Sequence, residues 1–179
     1  MTEQQFDKDT YPTPLSIFNP LDNEFVFTCD GCASAENAKV PEFFITKEQD
    51  FLTYPLNDES VFVNPPYSKP LPFIERAVSL FENNNCLVVM LLPIDISTKW
   101  FTLVTQKATE IRFIVGGRVK FLNGETGKYV DVCRGNVIAI FNPYQRAMNQ
   151  VIRHVHIDSF KDLEWRKKIV NPLDGTSGR

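Results

Sequence analysis

The 179-residue chain lacks several features that would place it in a specialised class of protein. No run approaches the roughly 18 consecutive apolar residues that a membrane-spanning helix needs. The first ten residues, MTEQQFDKDT, are too polar for a secretory signal peptide. We therefore expect a cytoplasmic protein with no membrane partner. Its 43% apolar and 23% charged residues are ordinary for a globular protein, and residues 1–179 have the length of a single domain.

Cysteine is also scarce, and its distribution argues against a metal centre. The four cysteines are scattered, and only Cys29 and Cys32 have the spacing of half a zinc site. No second close pair follows them. Cys86 and Cys133 stand beside apolar runs, where small buried residues are expected. The sequence therefore predicts no metal.

Acidic and basic residues are unevenly distributed along the chain. Residues 1–60 carry 3 Lys or Arg against 12 Asp or Glu, whereas residues 61–179 carry 16 against 10. The basic part can present a positive face to phosphates although the net charge is −3. An ordinary mixed, solvated surface is the alternative.

Strand-like and helix-like patterns alternate along the chain, which predicts an α/β fold with a mostly parallel, doubly wound sheet. The run 86–92 is apolar without alternation and should form a central strand covered on both faces. Further strands are predicted at 25–29, 43–45, 60–63, 110–115, 119–122 and 137–141, and helices at 34–40, 73–81 and 99–109. Residues 1–10 should be a flexible leader, and residues 145–179 a C-terminal extension with one basic helix around 158–168.

A helix should also begin near the N-terminus. Thr13 is a good N-cap, and Pro14 is tolerated at the first helical position. Pro20 should kink or end this helix, because proline lacks the N–H that the helix requires.

The main candidate site is the tetrapeptide Asn64-Pro65-Pro66-Tyr67, which directly follows the predicted strand 60–63. Open α/β sheets place their chemistry at the carboxyl ends of strands. The two prolines stiffen this loop and offer carbonyl acceptors without N–H donors. Asn64 adds an amide oxygen and Tyr67 a ring that can stack. Acceptors beside a stacking ring suit a flat molecule that carries an –NH2 group, although a proline-rich turn with a packed tyrosine is the alternative.

Two acidic positions are weaker candidates. Asp30 and Gly31 follow the first predicted strand, as an acidic residue and a glycine do in nucleoside-binding loops, but the full G-x-G-x-x-G pattern is absent. Asp50 stands among apolar neighbours, where an aspartate is more often a cap or turn residue.

Several basic residues flank a predicted turn at Asn123-Gly124. Such a hairpin can enter a DNA groove and contact phosphates, or it can be an ordinary charged hairpin. The residues are Arg112, Arg118, Lys120, Lys128 and Arg134.

Taken together, six stretches in order resemble the phage-type DNA N-6-adenine methyltransferases, from about Thr13 to Pro143. They are Thr13-Pro14 with Asn19-Pro20-Leu21, TCDGCASAENAK (28–39), NPPYS (64–68), LLPIDISTKWF (91–101), EIRFIVGGRVKF (110–121) and GNVIAIF (135–141). Two departures are the glycine-rich loop, reduced to Asp30-Gly31, and the residues after Tyr144, which match no recognisable pattern.

The resemblance implies a Rossmann-like methyltransferase fold, S-adenosylmethionine as methyl donor and adenine in duplex DNA as substrate, in the host cytoplasm if the protein is phage-encoded. It implies that Asn64, Pro65, Pro66 and Tyr67 form the catalytic loop. It also implies a donor pocket lined by Thr13, Pro14, Asp30, Ala33, Asp50 and Asn64. Ser68 and Lys69 join the hairpin residues as candidate DNA contacts.

Two other functions stay open at this stage. The chemistry of the loop serves any planar amino group, so the substrate could be an RNA base or a protein glutamine amide. Alternatively, the chain could be a non-catalytic protein of the same fold that binds DNA. The basic second part favours a nucleic acid, and the intact Asn64–Tyr67 loop favours an enzyme.

Overall fold

The computed structural model describes residue 9 and residues 11–123, 126–131, 134–145 and 149–160. The elements, in chain order, are α1 (Leu15–Phe25), β1 (Cys29–Asp30), β2 (Ser60–Val63), α2 (Leu71–Asn83), β3 (Leu87–Pro93), α3 (Lys99–Lys107), β4 (Glu110–Val115), β5 (Lys120–Leu122), β6 (Tyr129–Asp131), β7 (Asn136–Phe141) and β8 (Val151–His156). Strands and helices therefore alternate through the middle of the chain.

Most strands belong to one mixed sheet. In the described part of the chain it has six strands in the order β1-β2-β3-β7-β4-β8, and β7 is antiparallel to both of its neighbours while the other pairs are parallel. Strands β5 and β6 form a separate two-stranded sheet. This mixed α/β architecture with a mostly parallel sheet is compatible with the predicted Rossmann-like fold.

The two faces of the sheet are covered by different helices. Alternate residues of β3 point to opposite faces, so Val88 and Met90 pack with α2 and α3, whereas Val89 and Leu91 pack with α1. All seven residues of β3 are buried. The predicted central strand is therefore confirmed, and a strand buried on both faces explains why this run shows no polar alternation.

Helix α1 corrects two expectations. It runs through Pro20 to Phe25 instead of ending at the proline, because Ile17, Phe18 and Leu21 are buried against the sheet and hold the helix on both sides of it. Its N-cap is Pro14, not Thr13, and no side chain caps it. Leu15, the first residue of the helix, is exposed.

The N-terminal strands are shorter than predicted. Because α1 extends to Phe25, β1 is reduced to Cys29 and Asp30. The predicted strand 43–45 contributes one parallel bridge, between Asp30 and Phe44. Residues 34–40 form turns instead of a helix.

The C-terminal extension contains a strand that the sequence did not predict. Strand β8 pairs in parallel with β4 at the edge of the sheet. Residues 157–160 are helical, and the remainder of the predicted basic helix, like most of the predicted leader, lies outside the described residues. None of the helices in the described ranges has the length and apolar content that crossing a bilayer requires.

Candidate active site

The predicted functional loops meet at one edge of the sheet. Strands β1, β2 and β3 run parallel, so their carboxyl ends lie side by side. Asp30 pairs with Phe62 in this ladder, which brings Asp30 close to the start of the loop that follows β2. The two candidate segments, residues 30–33 and 64–67, are therefore neighbours, as the resemblance required.

Asn64 is held with its side-chain oxygen unpaired. Its Nδ2 donates to the Tyr11 carbonyl at 3.3 Å, and a carbonyl can only accept, so the orientation of the amide is fixed. The Oδ1 atom is buried and has no hydrogen-bond partner among the described residues. An unsatisfied buried acceptor costs about 1–3 kcal/mol, so this atom is a strong candidate for receiving an N–H donor from a ligand.

The prolines add a second available acceptor. Pro65 is buried, and among the described residues no backbone N–H donates to its carbonyl. The Pro66 carbonyl, in contrast, accepts from the Lys69 N–H at 3.4 Å. Asn64 and Pro65 thus present adjacent oxygen acceptors on a stiff loop.

Tyr67 is half-buried, and both its hydroxyl and its ring are held by neighbouring side chains. Its hydroxyl accepts from Asn136 Nδ2 at 3.0 Å, and its ring makes a T-shaped contact with Phe121, with centroids 6.2 Å apart. Burial raises the pKa of the Tyr67 phenol well above its usual range. The side chain is therefore a neutral aromatic platform with one hydroxyl.

Asp30 organises the loop that follows β1. It is 3% exposed, and its carboxylate accepts from the Lys39 N–H at 2.8 Å and from the Cys32 N–H at 3.4 Å. Burial raises its pKa above the ordinary aspartate value, against the opposing effect of these two bonds and of the Lys39 charge. Burial of the Lys39 side chain lowers the pKa of Lys39, against the opposing effect of the Asp30 charge.

The glycine after Asp30 has a packing role. A Cβ at Gly31 would lie 3.0 Å from the Phe51 ring and from a Val63 methyl group. In nucleoside-binding loops, a glycine lets the ligand approach the backbone closely. Here, the observed reason for a glycine is that side chains of the protein occupy the space.

Two adjoining cavities lie at this edge. The smaller, of about 40 Å³, is lined by Asn64 and Asp30 together with Asp9, Tyr11, Pro12, Thr13, Cys32, Asn37, Lys39 and Phe62. The larger, of about 730 Å³, shares Pro12, Thr13 and Lys39 with it and extends past Pro14 to Arg118, Lys120 and Asp158. Three of the predicted donor-binding residues, Thr13, Asp30 and Asn64, thus line one cavity, and Pro14 lines its neighbour.

Two predicted donor-binding residues line neither of these cavities. The Ala33 N–H donates to the Ile45 carbonyl at 3.1 Å. Asp50 is exposed with a φ of 57°, and its carboxylate accepts from the Leu52 N–H at 3.1 Å. Asp50 therefore has the geometry of a turn residue, which was the other interpretation of its position.

The candidate DNA contacts mostly lie on the surface. The exposed residues are Ser68, Lys69, Arg118, Lys120, Lys128 and Arg134. Asp9 accepts from the backbone N–H and the hydroxyl of Ser68, and Arg134 forms an ion pair with Asp95. Lys120 and Lys128 lie in and beside the β5–β6 hairpin, as predicted.

Arg112 is engaged inside the protein. Its guanidinium donates two bonds of 2.6 Å to Glu24 and one of 2.7 Å to Glu110, and it lies over the Phe25 ring at 5.4 Å. The bond to Glu24, more than that to Glu110, raises its pKa above the usual arginine value. These contacts within the protein argue against a role for Arg112 in binding DNA phosphates.

The sequence reasoning assigned no role to Lys39 and Asn136. Both stand in stretches that carried the family resemblance, 28–39 and 135–141. Asn136 is recognisable as one polar residue at the head of an apolar run. In the described ranges, no group of three or more His, Cys, Asp or Glu side chains is placed to hold a metal ion.

Comparison with known proteins decides the family. A family model described as DNA N-6-adenine-methyltransferase (Dam) matches residues 2–164. The chain belongs to that family. A similar protein named DNA N-6-adenine-methyltransferase, from Haemophilus phage HP1 (strain HP1c1), is 41% identical over 140 residues, covering 76% of this chain and 80% of that protein. Another of the same name, from Escherichia phage T1, is 35% identical over 169 residues, covering 85% and 70%.

Membership of the Dam family confirms the resemblance on which the sequence analysis relied. It also confirms the enzyme class, a methyltransferase, and the reaction expected of it, methylation of adenine at N6 in DNA. A Dam enzyme requires a methyl donor, and the candidate site must accommodate both that donor and an adenine.

Proposed function

We propose that the chain transfers a methyl group from S-adenosylmethionine to the N6 atom of an adenine in DNA, with Asn64 and Pro65 binding the amino group. The observation that carries this proposal is the buried, unpaired Oδ1 of Asn64. Hydrogen-bond acceptors left without partners at the carboxyl edge of a mostly parallel sheet are what an amino-group substrate needs.

The residues around Thr13 fit the donor chemically. S-adenosylmethionine carries a positive sulfonium, hydroxyls and amino groups, and the buried Asp30 carboxylate supplies negative charge and lone pairs. The smaller cavity has room for only a few water molecules, whereas about 730 Å³ is typical of a small-molecule site. We place the donor where the cavities meet, against Thr13, Pro14, Asp30 and Asn64, with Ala33 and Asp50 farther out.

When bound against Thr13, Pro14, Asp30 and Asn64, S-adenosylmethionine would supply an activated methyl group; the new bond from N6 to the methyl carbon would replace the carbon–sulfur bond, a neutral thioether would leave, and the extra amino proton would pass to water. The protein acts on the amino group. Its nitrogen is a poor nucleophile because the lone pair is delocalised into the ring. Asn64 Oδ1 and the Pro65 carbonyl accept hydrogen bonds from the two N–H groups of the amino group. These bonds favour tetrahedral geometry at the nitrogen, which localises its lone pair. Because the loop is stiff, this stabilisation is preorganised.

Tyr67 provides the surface for the adenine. A base inside a duplex must leave the stack before it can reach Asn64, at a cost of a few kcal/mol. Stacking on an aromatic side chain contributes roughly 1–3 kcal/mol per base. The Tyr67 ring, held by Asn136 and Phe121, therefore offsets part of the cost of flipping.

The DNA backbone should lie along the basic residues at the same edge. Arg118 and Lys120 line the larger cavity, and Lys128 lies at the turn end of the hairpin, where its carbonyl accepts from the Asn123 N–H. Together with Ser68, Lys69 and Arg134, these exposed residues are our candidates for contacts with phosphates on either side of the flipped base. DNA in the cytoplasm of a phage host is the expected substrate.

The fold supports the same function. Helix α1 on one face of the sheet and α2 and α3 on the other support the doubly wound, Rossmann-like arrangement, which we propose for residues 1–179 as a single methyltransferase domain.

The decisive experiment incubates the protein with labelled S-adenosylmethionine and, in turn, with three acceptors: DNA lacking N6-methyladenine, RNA and a glutamine-containing protein. The label transferred to each acceptor is measured. Label appearing in DNA as N6-methyladenine supports the proposal. Label confined to RNA or protein would favour the alternative substrates, and no label with any acceptor would favour a non-catalytic protein. Sequencing the methylated DNA would then give the recognition sequence.

A further inference from the structure

Asn136 connects the catalytic loop to the centre of the sheet. It is the first residue of β7 and is 1% exposed. Its Nδ2 donates both to the Tyr67 hydroxyl, at 3.0 Å, and to the Leu92 carbonyl, at 3.4 Å. Asn136 also pairs with Pro93 in the β3–β7 ladder. Its position is therefore set by the most buried part of the fold.

The orientation of the Asn136 amide determines the role of the tyrosine hydroxyl. The Leu92 carbonyl can only accept, so the –NH2 end of the amide must face it. The same –NH2 group reaches Tyr67, which means that the tyrosine oxygen is the acceptor in this bond. The ring is thus held at its hydroxyl end by Asn136 and at its side by Phe121.

The oxygen of the Asn136 amide does not stabilise the fold through a hydrogen bond to the described residues. Asn136 Oδ1 is buried and has no hydrogen-bond partner among the described residues, a state that costs stability. A leucine has nearly the same shape and would remove this unsatisfied atom. A buried polar group that is only partly satisfied requires an explanation, and its donation to Tyr67 is the one that the contacts supply.

We propose that Asn136 is a positioning residue for methyl transfer, which fixes the plane of the Tyr67 ring so that it can receive the flipped adenine. This inference rests on the proposed function of Tyr67. Asn136 itself touches neither the base nor the donor. It acts by restricting the ring before DNA binds, so that less freedom is lost on binding.

The test is a double-mutant cycle with Asn136→Leu, Tyr67→Phe and the double variant, using DNA that lacks N6-methyladenine. Tyr67→Phe keeps the ring and removes only the hydroxyl that Asn136 holds. Each single substitution should lower kcat/KM for DNA roughly two- to tenfold, as expected for the loss of one hydrogen bond. The double variant should be no worse than the poorer single variant, because both changes remove the same bond. S-adenosylmethionine affinity and Tm should stay near the wild-type values.

A matched control removes a tyrosine hydroxyl elsewhere. Tyr144 is exposed, and its hydroxyl accepts from Asn85, near the start of β3 and away from the catalytic loop. Tyr144→Phe should keep the wild-type kcat/KM. This control separates the loss of the Asn136 bond from a general effect of removing a phenol.

Three results would overturn the inference. Multiplicative losses in the double variant would mean that the two residues act independently. Wild-type kcat/KM in Tyr67→Phe would show that holding the hydroxyl has no consequence, and this holds even if Asn136→Leu does not fold. A loss in Asn136→Leu that follows its Tm would indicate a structural role. A wild-type chain that methylates no acceptor would overturn the proposed function itself, a distinct outcome.

Discussion

At the scale of single residues, the proposed chemistry depends on where oxygen atoms lack partners. Asn64 combines a fixed orientation, set by the Tyr11 carbonyl, with an unpaired oxygen. An acceptor held in this way needs no rearrangement when charge develops on the amino group. In the proposed mechanism, the amide therefore contributes to the rate more than to the stability of the fold.

Asn64→Ala should therefore separate catalysis from binding. Loss of one preorganised polar contact typically lowers turnover by about 10²–10³, so kcat for methyl transfer should fall by that factor. S-adenosylmethionine affinity, measured by calorimetry, should fall by a much smaller factor, because Asn64 is one of four residues placed against the donor, and Tm should change little. Asn83→Ala, at the exposed end of α2, is the control. Wild-type turnover in Asn64→Ala would mean that the loop is only a proline-rich turn.

Asp30 leads to a prediction about pH. Its pKa is raised in the folded protein, mainly by burial, so it takes up a proton at a higher pH than an ordinary aspartate does. The negative charge proposed to bind the donor should be lost as the pH falls through this raised pKa. Affinity for S-adenosylmethionine should therefore weaken as the pH falls, at pH values where an exposed aspartate would still be ionised.

The effect of Asp30 on stability should have the opposite sign. Because its folded pKa lies above the unfolded value, the folded state binds more protons between the two values, and the contribution of this group to stability decreases as pH rises. Calorimetric titrations and thermal melts over the same pH range would check both signs. Donor affinity that does not change with pH would remove Asp30 from the donor site.

The location of the site could be predicted from local chemistry, whereas its contacts could not. Stiffness, acceptors and a ring are properties of residues 64–67 themselves, so their position after a strand was predictable. The unpaired oxygen of Asn64 depends on Tyr11, 53 positions away, and the hydroxyl of Tyr67 depends on Asn136, 69 positions away. Such partners are determined by the tertiary fold.

At the scale of elements, burial overrode local signals. Pro20 lies inside α1 because the apolar residues around it pack against the sheet. The edge strand β8 escaped prediction because all six of its residues are at least partly exposed, which leaves little hydrophobic pattern. Strand β4 was predicted with its observed bounds, Glu110–Val115.

The end of α1 is strained. Val26 follows it with a φ of 50°, and its side chain is 70% exposed. A β-branched residue is rarely found in this left-handed region, where glycine is the usual helix-ending residue. Val26→Gly should raise the free energy of unfolding by roughly 0.5–1 kcal/mol, and Val26→Asn by less. Thermal melts would show the order Gly, Asn, Val, and a lower Tm for the glycine variant would contradict it.

A charged network joins three elements. Glu110 accepts from Arg112 at 2.7 Å and from Arg153 at 2.8 Å, and Arg112 continues to Glu24 in α1. Removing one partner of a buried ion pair typically costs about 3–5 kcal/mol. Because Arg112 keeps Glu24, Glu110→Gln should lower the unfolding free energy by about 3 kcal/mol, measured by urea denaturation. Glu82→Gln, which affects an exposed pair with Lys107, should lower it by less than about 1 kcal/mol.

At the scale of the whole molecule, the acidic first part and basic remainder meet at the proposed site. The smaller cavity takes Asp9 and Asp30 from the acidic part, and the larger one takes Arg118 and Lys120 from the basic part. The proposed site can therefore bind a cationic donor beside its acidic residues and an anionic DNA backbone beside its basic residues. The predicted alternation of elements gave the parallel strands correctly, but the insertion of antiparallel β7 between β3 and β4 depends on long-range pairing that no local pattern encodes.

The basic residues should determine how DNA binding depends on salt. Arg118→Ala and Lys120→Ala should each reduce the slope of log K against log salt concentration by about 1, if each residue neutralises one phosphate. Fluorescence anisotropy with labelled duplex DNA at several salt concentrations would measure this. Lys107→Ala, in the exposed pair with Glu82, should leave the slope unchanged. A wild-type slope in both hairpin variants would exclude this surface.

The separate pairing of β5 with β6 has a consequence for how DNA sequence preference could change among such enzymes. No ladder hydrogen bond joins these two strands to the six-stranded sheet in the described part of the chain, and Phe121 connects the hairpin to Tyr67. With Phe121 kept, the hairpin should therefore be able to change length and sequence without disturbing β1, which carries Asp30, or β2, which Asn64 follows. If it reads the bases around the target, grafting the hairpin of a relative while keeping Phe121 would transfer that relative's sequence preference, and selection could retarget the enzyme by the same route.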